Sequence, residues 1–269
     1  MSKRGGPERY LVAEALPRFA VAFQPIVDAG GSRIVGHEGL LRGPSWSPAG
    51  GVLARVRDAD RQRFEMEAIA AALAAFPGAC AAAVHVNISP SVLLRAPGTI
   101  AWLARLASEA SIAPERIVIE MTEGERTDDP QALAAAADAL RAERFRIALD
   151  TFGTGYGGLG MLEAVRPDLV KLDIGLTRNI QLHRTRRPII AALVEVSARA
   201  GIGVVAVGVE SEGEHRCLAG LGVTLFQGFL FSPPVTGRML AAEEVSFPPS
   251  PPPLPAADPW SQEAAAREH

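Results

Sequence analysis

Six short apolar runs in this chain each lead into one polar or charged side chain. AAAVHV runs into Asn87, RIVI into Glu120 and RIAL into Asp150, while RIVGH leads to Glu38, DLV to Lys171 and TLF to Gln227. A polar group set behind two or more strand residues is costly to bury unless it is partnered. One such residue reads equally well as the cap of a following helix. Six of them, in six different runs, call for a fold that gathers strand ends in one place.

The remaining pattern points to such a fold. Eight runs read as strands: FAVAFQPIV, RIVGHEGLL, AAAVHVN, RIVIEMT, FRIALD, DLVKLD, VVAVGVE and TLFQG. Segments near 59–75, 97–109, 130–143, 185–200 and 211–221 carry apolar residues at three-and-four spacing, which predicts helices. Alternating strands and helices predict parallel pairing, and eight such strands in one domain predict an α/β fold, a TIM-like (β/α)8 barrel. All strand C-termini of that barrel open on one face, so the six polar residues are expected to converge there.

Three carboxylates and an amide brought together repel one another without a cation. Glu38, Asn87, Glu120 and Asp150 offer only oxygen as a donor to a metal, which suits Mg2+, Mn2+ or Ca2+ and argues against a thiolate or imidazole zinc site. None of the five histidines has a paired ligand spacing, and His37 and His85 read as strand-packing residues. Cys80 and Cys217 are too few for a disulfide framework and read as buried thiols.

The chain has 269 residues and a net charge of −3, which gives no electrostatic reason to expect a nucleic acid polymer as partner. No window approaches the roughly eighteen uninterrupted apolar residues of a membrane span. The opening MSKRGGPERY lacks the apolar core of a signal peptide, so the expectation is a cytoplasmic protein without a membrane partner. Residues 1–16 read as an N-terminal lead-in and 17–245 as the barrel domain. Residues 246–269, with their prolines, read as a disordered tail: a plain linker first, with a proline-recognition ligand for a protein partner as the alternative.

The stretch RIALDTFGTGYGG raises a competing reading. Gly153, Gly155 and Gly158 formally satisfy the G-x-G-x-x-G dinucleotide fingerprint, and Asp173 follows at the end of DLVKLD. Only about nine residues separate Gly158 from the next run, few for a crossover helix. The fingerprint also normally opens a nucleotide-binding half instead of standing late in the order. The glycines are therefore read as a loop able to pass through positive φ.

With these residues in view, the chain resembles the EAL domains of bacterial cyclic di-GMP signalling over nearly all of residues 18–236. The matching stretches are FQPIVD, HEGLLR (EGL in place of EAL), VHVNIS, IEMTE, LDTFGTGYGGL, VKLD, GVESE and LFQGFLFSPP. The resemblance implies a TIM-like barrel and cyclic di-GMP as ligand. In active members it implies hydrolysis of one phosphodiester to linear pGpG with two ions, Mg2+ or Mn2+. It further implies a first ion held by Glu38, Asn87, Glu120 and Asp150. Glu38 and Lys171 would be catalytic, Lys171 by orienting the attacking water, and Gln227 would lie near the metal. Leu40 and Arg42 match the positions that contact guanine and phosphate, and Gln24 and Pro233 would help line the pocket. Glu123 matches the glutamate that steadies the loop after Asp150, through which a homodimer is expected.

Two positions depart from the family pattern. Thr151 stands where the second of two aspartates is usual, and Val207 where a glutamate is usual. In active members both carboxylates belong to the second ion. The resemblance thus implies a cyclic di-GMP-binding domain whose phosphodiesterase activity is lost or strongly reduced, with the first metal site kept. Two alternatives stay open: an active phosphodiesterase in which Glu210 or Asp173 substitutes, and a protein-interaction module that binds no nucleotide.

Overall fold

The structure, a computed structural model, describes residues 16–95, 98–122, 129–153 and 158–249. All eight expected runs are strands: β1 (Ala20–Asp28), β2 (Arg33–Arg42), β3 (Ala83–Asn87), β4 (Ile117–Thr122), β5 (Arg146–Phe152), β6 (Leu169–Leu172), β7 (Gly203–Val207) and β8 (Leu225–Gln227). Strands β2 to β8 pair in chain order, each parallel to the next. β1 closes the ring between β8 and β2, and a short β9 (Val235–Thr236) lies along it. The expected closed barrel is present.

One strand runs against the expectation of parallel pairing. β1 is antiparallel to β2, β8 and β9. The four residues 29–32 that join it to β2 can make only a tight turn, because a parallel connection needs a crossover of a dozen or more residues. Asp28 fixes that turn by accepting from Gly31 N at 3.1 Å and from Arg33 Nε at 2.9 Å.

The helices α1 (Ala49–Leu53), α2 (Arg61–Ala75), α3 (Pro90–Arg95), α4 (Thr99–Glu109), α5 (Pro130–Ala142), α6 (Gly158–Val165), α7 (Ile174–Thr177), α8 (Arg186–Arg199) and α9 (Glu212–Gly220) fill the connections. α2, α4, α5, α8 and α9 are the expected ones. Local chemistry starts several: Asp129 accepts from Ala132 N at 2.8 Å ahead of Pro130, and Ser211 with Glu214 forms a capping box at α9. α6 corrects the expectation that the segment after Gly158 is too short for a helix. It holds eight helical residues beginning at Gly158 itself.

Alternation along the strands separates two interiors. In β4, Ile117, Ile119 and Met121 belong to the large cluster packed between barrel and helices. Val118 is equally buried but outside that cluster, as are Ala22, Ala148 and Val205 on neighbouring strands. With a period of two, Val118 and Glu120 share the lumen face. Small or apolar residues plug the lower lumen, and the polar residues sit above them. Past residue 245 the chain still packs: Ser246 N donates to Phe231 O at 3.1 Å, and Phe247 rests against the core. Residues 250–269, the bulk of the expected tail, lie outside the described residues, as do 1–15 of the lead-in. Cys80 and Cys217 are half-buried rather than fully enclosed.

Candidate active site

The six polar residues meet in one network. Lys171 Nζ lies 2.7 Å from Glu38 Oε2 and 2.7 Å from Glu120 Oε2, with Asp150 Oδ1 at 3.8 Å. Asn87 Nδ2 donates to Glu38 Oε1 at 3.1 Å, and Gln227 Nε2 donates to Glu38 Oε2 at 2.8 Å. The register explains the convergence, since Asn87 stands opposite Glu120 and Thr122 opposite Asp150 on adjacent parallel strands. Lys171 is 1 % exposed and Glu120 is fully buried, so these charges answer to one another and not to water.

One ammonium cannot neutralise three carboxylates, and the deficit falls unevenly. Burial works against the charge of Glu38, but Lys171 and the amides of Gln227 and Asn87 outweigh it and hold the carboxyl down at about 2. Glu120 lacks amide donors; burial and the neighbouring Glu38 push it up to about 8, despite Lys171. Burial, then the charges of Glu120 and Glu38, raise Asp150 to about 6 against the pull of Lys171. Lys171 is driven the other way: burial disfavours its charge, yet the carboxylates raise it above the usual lysine range.

The donor set fits a hard cation. Two buried carboxylates, Glu38 and Glu120, and the partly exposed Asp150 share one ammonium, and Gln227 Oε1 is buried without a hydrogen-bond partner. Among the described residues no three His, Cys, Asp or Glu side chains converge as a metal-ligating group. Lys171 Nζ lies between Glu38 and Glu120, 2.7 Å from one oxygen of each. A divalent cation would supply the missing positive charge.

The remaining expected residues surround this network. Glu38, Leu40, Asn87 and Asp150 line one cavity of about 300 Å³ that runs between β2 and helices α1 and α2. Arg42 lies further along β2, half-buried, with one guanidinium N–H on Leu41 O at 2.8 Å. Gln24 links the network to the chain after β8, lying 3.4 Å from Gln227 Nε2 and donating to Ser232 O at 3.0 Å. The next residue, Pro233, is exposed. Glu123, and residues 154–157 of the loop expected at a homodimer contact, lie outside the described residues.

The EAL domain family matches residues 9–234, most of the chain. The chain belongs to the EAL family. Among solved structures, it is similar to a standalone versatile EAL protein from Vibrio cholerae O395 in a c-di-GMP-bound form (31 % identity, TM-score 0.78, covering 85 % of this chain and 96 % of that one). It is also similar to Klebsiella pneumoniae BlrP1 in a manganese and cy-diGMP complex (32 % identity, TM-score 0.78, 84 % of this chain and 58 % of that one). A curated relative is the blue light- and temperature-regulated antirepressor BluF of Escherichia coli K12, 29 % identical over 213 residues, 78 % of this chain and 53 % of the relative. The chain spans about half the length, or less, of the first curated relatives it matches.

In this EAL domain the two departing positions have defined surroundings. Thr151 has φ 55°, and the β5–β6 pairing shifts register between Leu149 and Phe152. Its Oγ1 donates to Asp150 O at 2.8 Å. Val207 ends β7 opposite Gln227, and its carbonyl accepts from Thr177 Oγ1 at 2.6 Å. The two candidate substitutes are engaged elsewhere. Glu210 is ion-paired with Arg178, and Asp173 Oδ1 caps α7 through Gly175 N at 2.6 Å. Asp173 thus has a helix-capping role, not the ribose-binding role of a dinucleotide fingerprint.

Sequence reasoning missed one residue of this network. His85, read as strand packing, lies with Nδ1 2.7 Å from Glu120 Oε1. Burial pushes its imidazole down to about 3, so the ring is neutral. The signal was available: His85 precedes Asn87 by two residues on the same face of β3.

Proposed function

We propose that this EAL domain binds cyclic di-GMP and that its phosphodiesterase activity is lost or strongly reduced. The observation that carries the reading is the pairing of the Thr151 hydroxyl with the carbonyl of Asp150, next to a Val207 whose side chain offers no ligand. Glu210 and Asp173, each held by another partner, reinforce it. Two-ion hydrolysis sets its ions about 3.5–4 Å apart. At the second position the one family carboxylate left is Asp150, which already serves the first ion, so a second ion has no carboxylate of its own where Mg2+ usually binds through one or two.

In this reading Glu38, Asn87, Glu120 and Asp150 hold one Mg2+ or Mn2+. That ion, when bound, supplies positive charge beside a phosphate of the nucleotide. Arg42 presents its fork of donors to a phosphate, a geometry a lysine cannot copy. Leu40 packs apolar surface against a guanine at the cavity wall. Lys171 holds Glu38 and Glu120 in place and, in a hydrolysing member, orients the water. Support comes from the solved relatives described as bound to cyclic di-GMP, one of them with manganese.

The test is calorimetric titration of cyclic di-GMP into the purified protein with Mn2+ present. Heat that saturates near one ligand per chain and then stops is the expected result. Heat continuing after each injection signals turnover and overturns the loss of activity. The absence of heat favours the protein-interaction reading, which has its own support in a relative named as an antirepressor.

A further inference from the structure

We infer that His85 is a positioning residue of the cation site, holding Glu120 in its ligating orientation through its Nδ1–H. The inference rests on the reading of Glu38, Asn87, Glu120 and Asp150 as that site.

Glu120 has two oxygens and two close partners. Lys171 takes Oε2 at 2.7 Å and His85 takes Oε1 at 2.7 Å. An ionised carboxylate can only accept, so once Glu120 is charged to hold a cation, the proton must sit on Nδ1. A metal-binding carboxylate gains from such an outer donor, because the donor fixes which lone pairs face the ion. His85 is 2 % exposed and Glu120 fully buried, so neither group can exchange this bond for water.

The barrel is shaped around the ring. On β2, Gly36 lies two residues before Glu38, and Glu38 stands opposite His85 in the β2–β3 register. A Cβ built on Gly36 would lie 2.7 Å from His85 Nε2 and 2.9 Å from Cδ2. Contacts that short do not occur without movement of the ring, so a glycine is required for the imidazole to lie where it does. The same movement would carry Nδ1 away from Glu120. Gly36, His85 and Glu120 therefore form one chain of contacts, from bare backbone to ring to carboxylate.

Loss of an outer-shell partner typically costs 10- to 100-fold in metal affinity or activity. The test titrates Mn2+ into the nucleotide-free protein, following the free ion by electron paramagnetic resonance, with thermal unfolding of each metal-free variant as a check on folding. His85→Leu, which removes the donor but keeps bulk, is expected to weaken Mn2+ binding at least tenfold. His85→Asn keeps an N–H near the Nδ1 position and is expected to stay within about threefold of the parent. Gly36→Ala is expected to weaken binding alone and to have no further effect in a His85→Ala background, as coupled neighbours do. Parental affinity in His85→Leu, or equal weakening in the Asn and Leu variants, overturns the positioning role while leaving the cation site standing. A parent that binds no Mn2+ overturns the cation site itself, and the inference with it.

Discussion

Thr151 Oγ1 donates to the carbonyl oxygen of Asp150 at 2.8 Å. At the position where EAL domains are expected to carry a second carboxylate, this chain has a neutral hydroxyl turned back on its predecessor's backbone. The carboxylate of Asp150, in contrast, stays near Lys171 at 3.8 Å. The two adjacent residues thus face different duties, and the consequences can be measured separately.

The first concerns the backbone. Thr151 has φ 55°, a left-handed conformation that is a genuine outlier for a β-branched residue. Such strain is worth on the order of 1–3 kcal/mol, and asparagine adopts the region far more readily. Thr151→Asn is expected to gain about 1 kcal/mol, raising the melting temperature by about 2–4 °C in a domain of this size. Calorimetric melting of the two proteins decides it, and a lower midpoint in the variant would refute the strain.

Lys171 is the sole cation in contact with Glu38 and Glu120 among the described residues. Lys171→Met leaves the buried Glu38 carboxylate without its ammonium and beside Glu120, and breaking a buried pair costs about 3–5 kcal/mol. Added Mn2+ is expected to recover more stability in this variant than in the parent, because it restores the lost charge. Urea unfolding with and without Mn2+ measures both quantities. A loss under about 1 kcal/mol, with no metal-dependent recovery, would contradict the network's role.

Glu120 also predicts a pH dependence. Its folded pKa of about 8 lies above its ordinary value, so the metal-free native state keeps a proton that the unfolded chain has released. Stability must then fall as pH rises toward 8. Asp150, raised to about 6, acts in the same direction at lower pH. His37 and His85, pushed down to about 4 and 3, oppose this effect only below their ordinary value of 6.5. Glu38, held at about 2, has its contribution fully present throughout and loses it only in strong acid. Between pH 6.5 and 8, then, metal-free stability is expected to decline by up to about 2 kcal/mol. Glu120→Gln should abolish the slope. Melting curves in a chelator across that range test it, and a midpoint that rises with pH in the parent speaks against the assignment.

Arg42 is assigned to a nucleotide phosphate. A hydrogen bond to a charged group is worth about 1.5–3 kcal/mol, or roughly 10- to 100-fold in affinity. Arg42→Ala is expected to weaken cyclic di-GMP binding by that factor with an unchanged melting point. Arg42→Lys should recover only part, having one point charge in place of a fork. Unaltered affinity in both variants would remove Arg42 from the site.

Much of this was legible in the sequence because a parallel barrel buries both faces of its strands, which makes them near-continuous apolar runs. A Glu120 inside RIVIEMT then stands out as an inward residue that needs a partner. The reversal of β1 was less visible, since apolar content does not carry direction; the short DAGGS connection before Arg33 was the available clue. α1, α3, α6 and α7 span four to eight residues, too few to display a helical period. The part played by His85 depends on Gly36, which lies 49 residues earlier and adjoins it only once β2 pairs with β3. That relation belongs to the fold and not to any local pattern.

The most direct test of the central claim is the amount of linear pGpG formed from cyclic di-GMP with Mn2+, measured by chromatography for the parent and for Thr151→Asp/Val207→Glu. The account predicts that the parent leaves the cyclic nucleotide intact while the double variant, with both carboxylates restored, converts it. A parent that turns over at about 1 s⁻¹ or faster, and gains nothing from the two substitutions, would contradict it.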